Sequence, residues 1–203
     1  MALVSSYSGF IFDYGGVLVA HQSDADQARM AKIAGIPKDV FYDLYWSDRL
    51  DYDKGLLSYT EYWQGLAGRA GTSLSAAAIG ELVALDTASW MEFDSAMWDW
   101  IDQLRAAGKR VAILSNMPRE LGEALRSGTE RLNNFDQVTL SYEVHSAKPE
   151  PAIYERCLEG LGTAPEETLF LDDRIANVQG AESLGIRAMQ FTSREDIFLR
   201  LRR

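Results

Sequence analysis

A chain of 203 residues forms one or two domains and buries on the order of 70% of its unfolded surface, so no disulfide or metal staple is needed for folding. With 47% hydrophobic and 25% charged residues it has the make-up of a soluble globular protein, which excludes disordered and membrane-spanning classes. The 30 acidic and 20 basic side chains give a formal charge of -10, a field that repels phosphate backbones and anionic lipid, so neither nucleic acid nor membrane is expected as a partner.

The amino terminus, MALVSSYSGFIFDYGG, has no basic leader region, and Ser, Asp and Gly break its apolar stretches, so it reads as structure rather than as a signal or span. Residues 8–13 are an apolar run that ends in Asp13 and meets Gly15-Gly16 at once, the pattern of a buried strand entering a tight turn. From about residue 20 to residue 92 no strand-like run occurs. Ser23 with Asp26 and Ser58 with Glu61 have capping-box spacing, and Gly35-Ile36-Pro37 and Gly71-Thr72-Ser73 are breakers, which predicts a small subdomain of about four helices. Its aromatics are Phe41, Tyr42, Tyr45, Trp46, Tyr52, Tyr59, Tyr62, Trp63 and Trp90; they read as the core of a small bundle, with one or two alternatively facing a substrate.

Beyond residue 92 the pattern alternates. Strand-sized runs at 110–115, 137–141, 168–172 and 186–191 are separated by helical patterns. These are Met97, Trp98, Ile101 and Leu104 before Gly108; Ile153, Cys157 and Leu158 before Gly160; and Val178, Ala181 and Leu184 before Gly185. A last helix capped from Ser193 should carry Arg200, Arg202 and Arg203 at its end, where cations suit the dipole. Alternation of this kind predicts an α/β fold, a doubly wound parallel five-stranded Rossmann-like sheet with an inserted α-helical cap subdomain. The core would be residues 1–19 and 93–203, and the cap 20–92. Cys157 is the only cysteine, which forbids an intramolecular disulfide and makes a reducing cytoplasm the expected location.

In such a sheet the ligand crevice lies at the carboxyl ends of the strands, where this chain places Asp13, Ser115 and Asp172-Asp173. A carboxylate ending an apolar strand is costly unless it binds something, and two adjacent carboxylates repel unless a cation is present. Mg²⁺ suits an all-oxygen site. Lys148 supplies positive charge, while Ser115 and the backbone N–H of Asn116 supply donors for anionic oxygens. Together these parts suit phosphoryl transfer to an aspartate nucleophile, with a small phosphorylated molecule as substrate.

Four segments carry a family resemblance over nearly the whole chain. FIFDYGGVL, ILSN, SAKPEPAIY and LFLDDRIANVQGAESLG resemble, in order, the four motifs of the haloacid dehalogenase superfamily of hydrolases, and the helical insert lies where that family has its C1-type cap. The resemblance implies Asp13 as the nucleophile that becomes an aspartyl-phosphate, and Ser115 with the Asn116 amide as phosphoryl-binding groups. Lys148 would screen charge. Mg²⁺ would be held by Asp13, the Gly15 backbone carbonyl and Asp173, with Asp172 holding metal-bound water in an outer position. Asn177 would either orient this loop or cap a helix.

One departure concerns Gly15, because phosphatases of the family usually carry a second aspartate there as acid and base. The same Asp-x-Gly-x-Val pattern resembles a branch that includes a bacterial α-glucose-1-phosphate phosphatase, which points to a sugar phosphate. His21, eight residues past Asp13, has a side chain whose ordinary pKa near ~6.5 suits a replacement acid/base; otherwise it is a hinge or surface histidine. His145 reads as a loop residue, and Cys157 as a core residue without chemistry. The alternatives are a metal-free 2-haloacid dehalogenase, which the Asp172-Asp173 pair disfavours, and a phosphate-binding protein that has lost turnover.

Overall fold

The computed structural model describes residues 2–201. A single helical turn, α1 (Ala2–Ser5), precedes β1 (Gly9–Phe12). The other strands are β2 (Arg110–Ser115), β3 (Gln137–Leu140), β4 (Thr168–Asp172) and β5 (Arg187–Gln190). All pair in parallel in the order β3-β2-β1-β4-β5, with β1 at the centre. Every residue of β1 and β4 is buried, which explains why these strands are continuous apolar runs rather than alternating ones.

Helices cover both faces. Phe10 and Phe12 point into a layer built with α7 (Ser95–Ala106), α8 (Arg119–Gly128) and α12 (Arg194–Leu201), through Trp98, Ile101, Leu125 and Ile197. Ile11, pointing the other way as the period of two requires, packs with Ile153, Tyr154, Cys157 and Ala181 of α10 (Pro151–Leu161) and α11 (Ile175–Ser183). A further turn, α9 (Ser141–Val144), follows β3. The helix expected to end at Gly160 runs on to Leu161 and stops at Gly162, whose φ of 71° is left-handed. At Gly160, inside the helix, a Cβ would meet the side chain of Gln137 on β3.

Between β1 and α7 lie five helices: α2 (Asp24–Ala34), α3 (Lys38–Ser47), α4 (Arg49–Asp53), α5 (Tyr59–Arg69) and α6 (Ala76–Ser89). Four were expected; Asp48 interrupts the second, α3, and splits off α4 as a single turn. Ser58 and Glu61 form a full capping box, whereas Ser23 accepts from the Asp26 N–H without the reciprocal backbone bond. Phe41, Tyr45, Tyr52, Tyr62 and Trp63 fill the core of this insert, separate from the layers on the sheet. Trp90 instead joins the sheet layer, and Tyr42, Trp46 and Tyr59 are exposed.

The chain leaves the sheet for the insert and returns at adjacent points. Val19 forms an antiparallel bridge with Phe93, and the Ala20 N–H donates to Glu92 O at 3.0 Å. A second junction joins α4 to the rim of the sheet. Tyr52 donates to Glu120 at 2.8 Å, Lys54 pairs with Glu150 at 3.0 Å, and the Ser141 hydroxyl donates to Asp53 O. At the carboxyl end, Ser193 caps α12 by accepting from the Asp196 N–H, and Arg200 pairs with Asp196 in the last turn. Arg202 and Arg203 lie outside the described residues. Among the described residues no helix is long and apolar enough to cross a membrane.

Candidate active site

Parallel register aligns the strand ends. Phe12 pairs with both Ile113 and Leu171, so Asp13, Ser115 and Asp172 emerge at one edge of the sheet. They meet the insert across a cavity of about 540 Å³ lined by Asp13, Ser115, Asn116, Lys148, Asp173 and Asn177 on the sheet side, and by Tyr42, Trp46 and Arg49 on the other.

Lys148 is the hub. Its ammonium, buried with the rest of the side chain, lies 2.7 Å from Asp13 Oδ1 and 2.7 Å from Asp172 Oδ2. Burial opposes the charged ammonium, yet the two carboxylates hold the Lys148 pKa above its ordinary value. Asn116 fixes the lysine backbone from both sides, its Oδ1 accepting from Lys148 N at 2.8 Å and its Nδ2 donating to Lys148 O at 2.9 Å. Sequence reasoning had found only the Asn116 amide.

Asp172 is fully buried and its oxygens are taken: beyond Lys148 it accepts from Asn177 Nδ2 at 3.0 Å on each oxygen and from Arg174 N at 2.8 Å. Burial would raise its pKa, but Lys148 and these donors hold it below the ordinary value. Asn177 lies in the first turn of α11 and spends its amide on Asp172 rather than on a helix cap. Asp13 fares differently. Burial and the charge on Asp172 push its carboxyl up to about 8, against the pull of Lys148. One buried ammonium for two carboxylates leaves a site short of positive charge.

That shortage bears on the metal. Ligand atoms of Asp13, Asp172 and Asp173 lie within 4.8 Å of one another, an all-oxygen donor set suited to a hard divalent cation, and a second cation here would offset the buried negative charge. Asp173 is the more open of the adjacent pair, with Gln190 Nε2 donating to its carbonyl at 2.9 Å. The residues present fit Mg²⁺.

His21 is brought into the site. Its Nε2 lies 3.3 Å from Asp173 Oδ2, and this bond raises the His21 pKa against a smaller opposing loss of hydration. The ring lies over Gly16, where φ is +73° and a Cβ would come within 2.6 Å of the imidazole; glycine is needed on both counts. Gly15 faces Trp90, whose six-membered ring would be 3.2 Å from a Cβ at position 15. Any side chain at position 15 would therefore crowd the Trp90 ring. His145 lies apart from this cluster, its Nδ1 donating to Lys54 O at 2.9 Å, and Cys157 is buried in α10, where burial pushes its thiol up to about 12.

Residues 7–185 match the family model of the haloacid dehalogenase-like hydrolases. The chain belongs to that family. Among curated relatives, a D-ribitol-5-phosphate phosphatase of Bacteroides thetaiotaomicron is 28% identical over 188 residues, covering 89% of this chain and 89% of the relative. A phosphatase of Mycobacterium tuberculosis is 26% identical over 189 residues, covering 90% of this chain and 86% of its own. Among solved structures, a haloacid dehalogenase family enzyme of Bacteroides thetaiotaomicron in a magnesium complex superposes with a TM-score of 0.78 at 25% identity, covering 98% of this chain and 100% of that one.

The cavity also includes a group that the sequence alone does not single out. Arg49, from α4, is buried between Asp53 at 2.8 Å and Asp86 at 2.8 Å. Asp86 also accepts from Tyr45 at 2.6 Å and from Gln22 at 2.9 Å. Burial pushes the Asp53 carboxyl up to about 6 although Arg49 pulls it down, because one guanidinium serves two carboxylates. Arg49 and Asp53 stand four apart on one helical turn, the only sequence signal available, and one shared by most surface ion pairs.

Proposed function

We propose that the protein is a Mg²⁺-dependent phosphatase of a small phosphorylated metabolite, in the class of sugar and polyol phosphates, acting through an aspartyl-phosphate on Asp13. The observation that carries this reading is Lys148 bridged between Asp13 and Asp172 at the floor of the cavity, beside Asp173. The likeness to relatives named as phosphatases supports it, one of them for D-ribitol 5-phosphate.

An oxygen of Asp13 attacks phosphorus; the bond to the leaving oxygen breaks, and that oxygen takes up a proton. Water then attacks the same phosphorus, releasing phosphate and restoring the Asp13 carboxylate. Asp13, the Gly15 carbonyl and Asp173 would hold Mg²⁺, with Asp172 outside them. When bound, the ion neutralises charge on the phosphoryl oxygens and the nucleophile. Lys148 stabilises the same charge from beneath, Ser115 and the Asn116 N–H bind phosphoryl oxygens, and Asn177 holds Asp172 in place. His21, at the mouth of the cavity, supplies the proton to the leaving oxygen in place of the absent aspartate. Residues 20–92 act as the cap that closes the site and selects the leaving group. A single buried cysteine and the acidic composition support action in the cytoplasm.

Phosphate release is measured over sugar phosphates, nucleotides and phospho-acids, with Mg²⁺ and with chelator, for wild type and Asp13→Asn. Mg²⁺-dependent release lost in Asp13→Asn is expected. Absence of release from every ester would favour a binding protein, and halide release from a 2-haloacid without metal would favour a dehalogenase.

A further inference from the structure

Four positively charged or chargeable side chains line the cavity, and three are engaged. Lys148 lies between Asp13 and Asp172, Arg49 between Asp53 and Asp86, and His21 against Asp173. Arg174 differs. Its exposed side chain lines the same cavity, yet among the described residues it forms neither an ion pair nor a side-chain hydrogen bond, and only its backbone N–H is used, on Asp172. Its field reaches the insert, where it draws the Asp53 carboxyl downward against the effect of burial.

Arg174 directly follows Asp173 and lines the same cavity as Asp13 and the insert's side chains. On the insert's side Tyr42, Trp46 and Leu50 line the cavity while 39%, 39% and 43% exposed, beside the paired Arg49 and Asp53. The three apolar side chains offer a surface for the leaving group to lie on. Arg49 is already committed, its Nε and Nη1 donating to Asp53, Asp86 and Tyr45. A guanidinium with all its donors unspent, in a partly enclosed cavity, matches the paired oxygens of a carboxylate or phosphate.

We propose that Arg174 is a specificity-determining residue that binds a second anionic group, a carboxylate or a further phosphate, on the leaving group of the substrate. The inference deepens the phosphatase reading and rests on it. It makes the preferred metabolite an acid-bearing or doubly phosphorylated polyol rather than a neutral sugar phosphate.

The test compares matched esters with Mg²⁺: ethyl phosphate with phosphoglycolate for the carboxylate, and propyl phosphate with propanediol bisphosphate for the phosphate. Arg174→Ala is expected to raise KM for the doubly anionic member by about tenfold more than for its neutral partner, the loss of one charge-assisted pair, with the difference falling on KM rather than on kcat. Arg174→Lys recovers part of the gap, because it keeps the charge without the fork, and Arg174→Glu widens it. A gap with one kind of anion identifies the group bound. Equal changes on both members of each pair, in all three variants, overturn the proposal and leave the phosphatase reading standing. No release from any of the four esters by wild type overturns that reading, and the proposal with it.

Discussion

Asp53 gives the molecule a measurable dependence of stability on pH. Its folded-state pKa is raised from the ordinary 3.8 to about 6, chiefly by burial, with Arg49 too committed to Asp86 to cancel the effect. A carboxyl raised on folding contributes stability that is fully present below pH 3.8 and is lost as pH rises through 6. The difference of roughly two pKa units corresponds to about 3 kcal/mol at neutral pH. Asp53→Asn removes the titration while an amide oxygen can still accept from Arg49 Nε, which Asp53 now does at 2.8 Å. Urea unfolding of both proteins at several pH values between 4 and 8 should show wild type losing about 3 kcal/mol relative to the variant, most of it below pH 7. A difference that is flat, or that grows in favour of wild type as pH rises, would mean that the Arg49 ion pair outweighs burial and would refute the argument.

Two further predictions concern the missing aspartate. Gly15→Asp should not raise kcat for an alkyl phosphate, because the Trp90 ring crowds the new Cβ, and the crowding should cost about 1–3 kcal/mol in stability. Adding Trp90→Leu should then raise kcat above that of the single variant; a tenfold gain from Gly15→Asp alone would count against this account. His21→Gln should lower kcat by about 10² on esters with poor leaving groups and far less on p-nitrophenyl phosphate, whose leaving oxygen needs no proton. Equal loss on both would assign His21 to holding Asp173 rather than to proton transfer.

Most of the sheet was legible because parallel strands are buried on both faces: the runs ending at Asp13, Ser115 and Asp172 are too apolar and too short for anything else. The site was legible for the same reason, since polar residues ending such runs have little purpose in packing. What escaped was set by tertiary contact. Gly160 looked like a helix stop, but the helix passes through it, against Gln137 of β3, and ends at Gly162. Arg49, Asp86 and Gln22 belong to different segments of the insert, and no period links them. Trp90 looked like one more aromatic of the bundle, and only the return of the chain beside β1 puts its ring against Gly15.

The bridge between Val19 and Phe93 makes the insert an excursion that starts and finishes at nearly the same place. To the sheet, about 70 residues of helix are equivalent to a hairpin loop, because the ends it must join are already paired. Loop-closure entropy varies only with the logarithm of length, so replacing the excursion by a six-residue turn would change the cost of closing this stem by about 2 kcal/mol. The strand ends that bear Asp13, Ser115 and Asp172 are therefore largely insulated from the length of what stands above them. Such a plan lets leaving-group recognition diverge by exchange of the whole excursion while the phosphoryl-transfer chemistry stays in register.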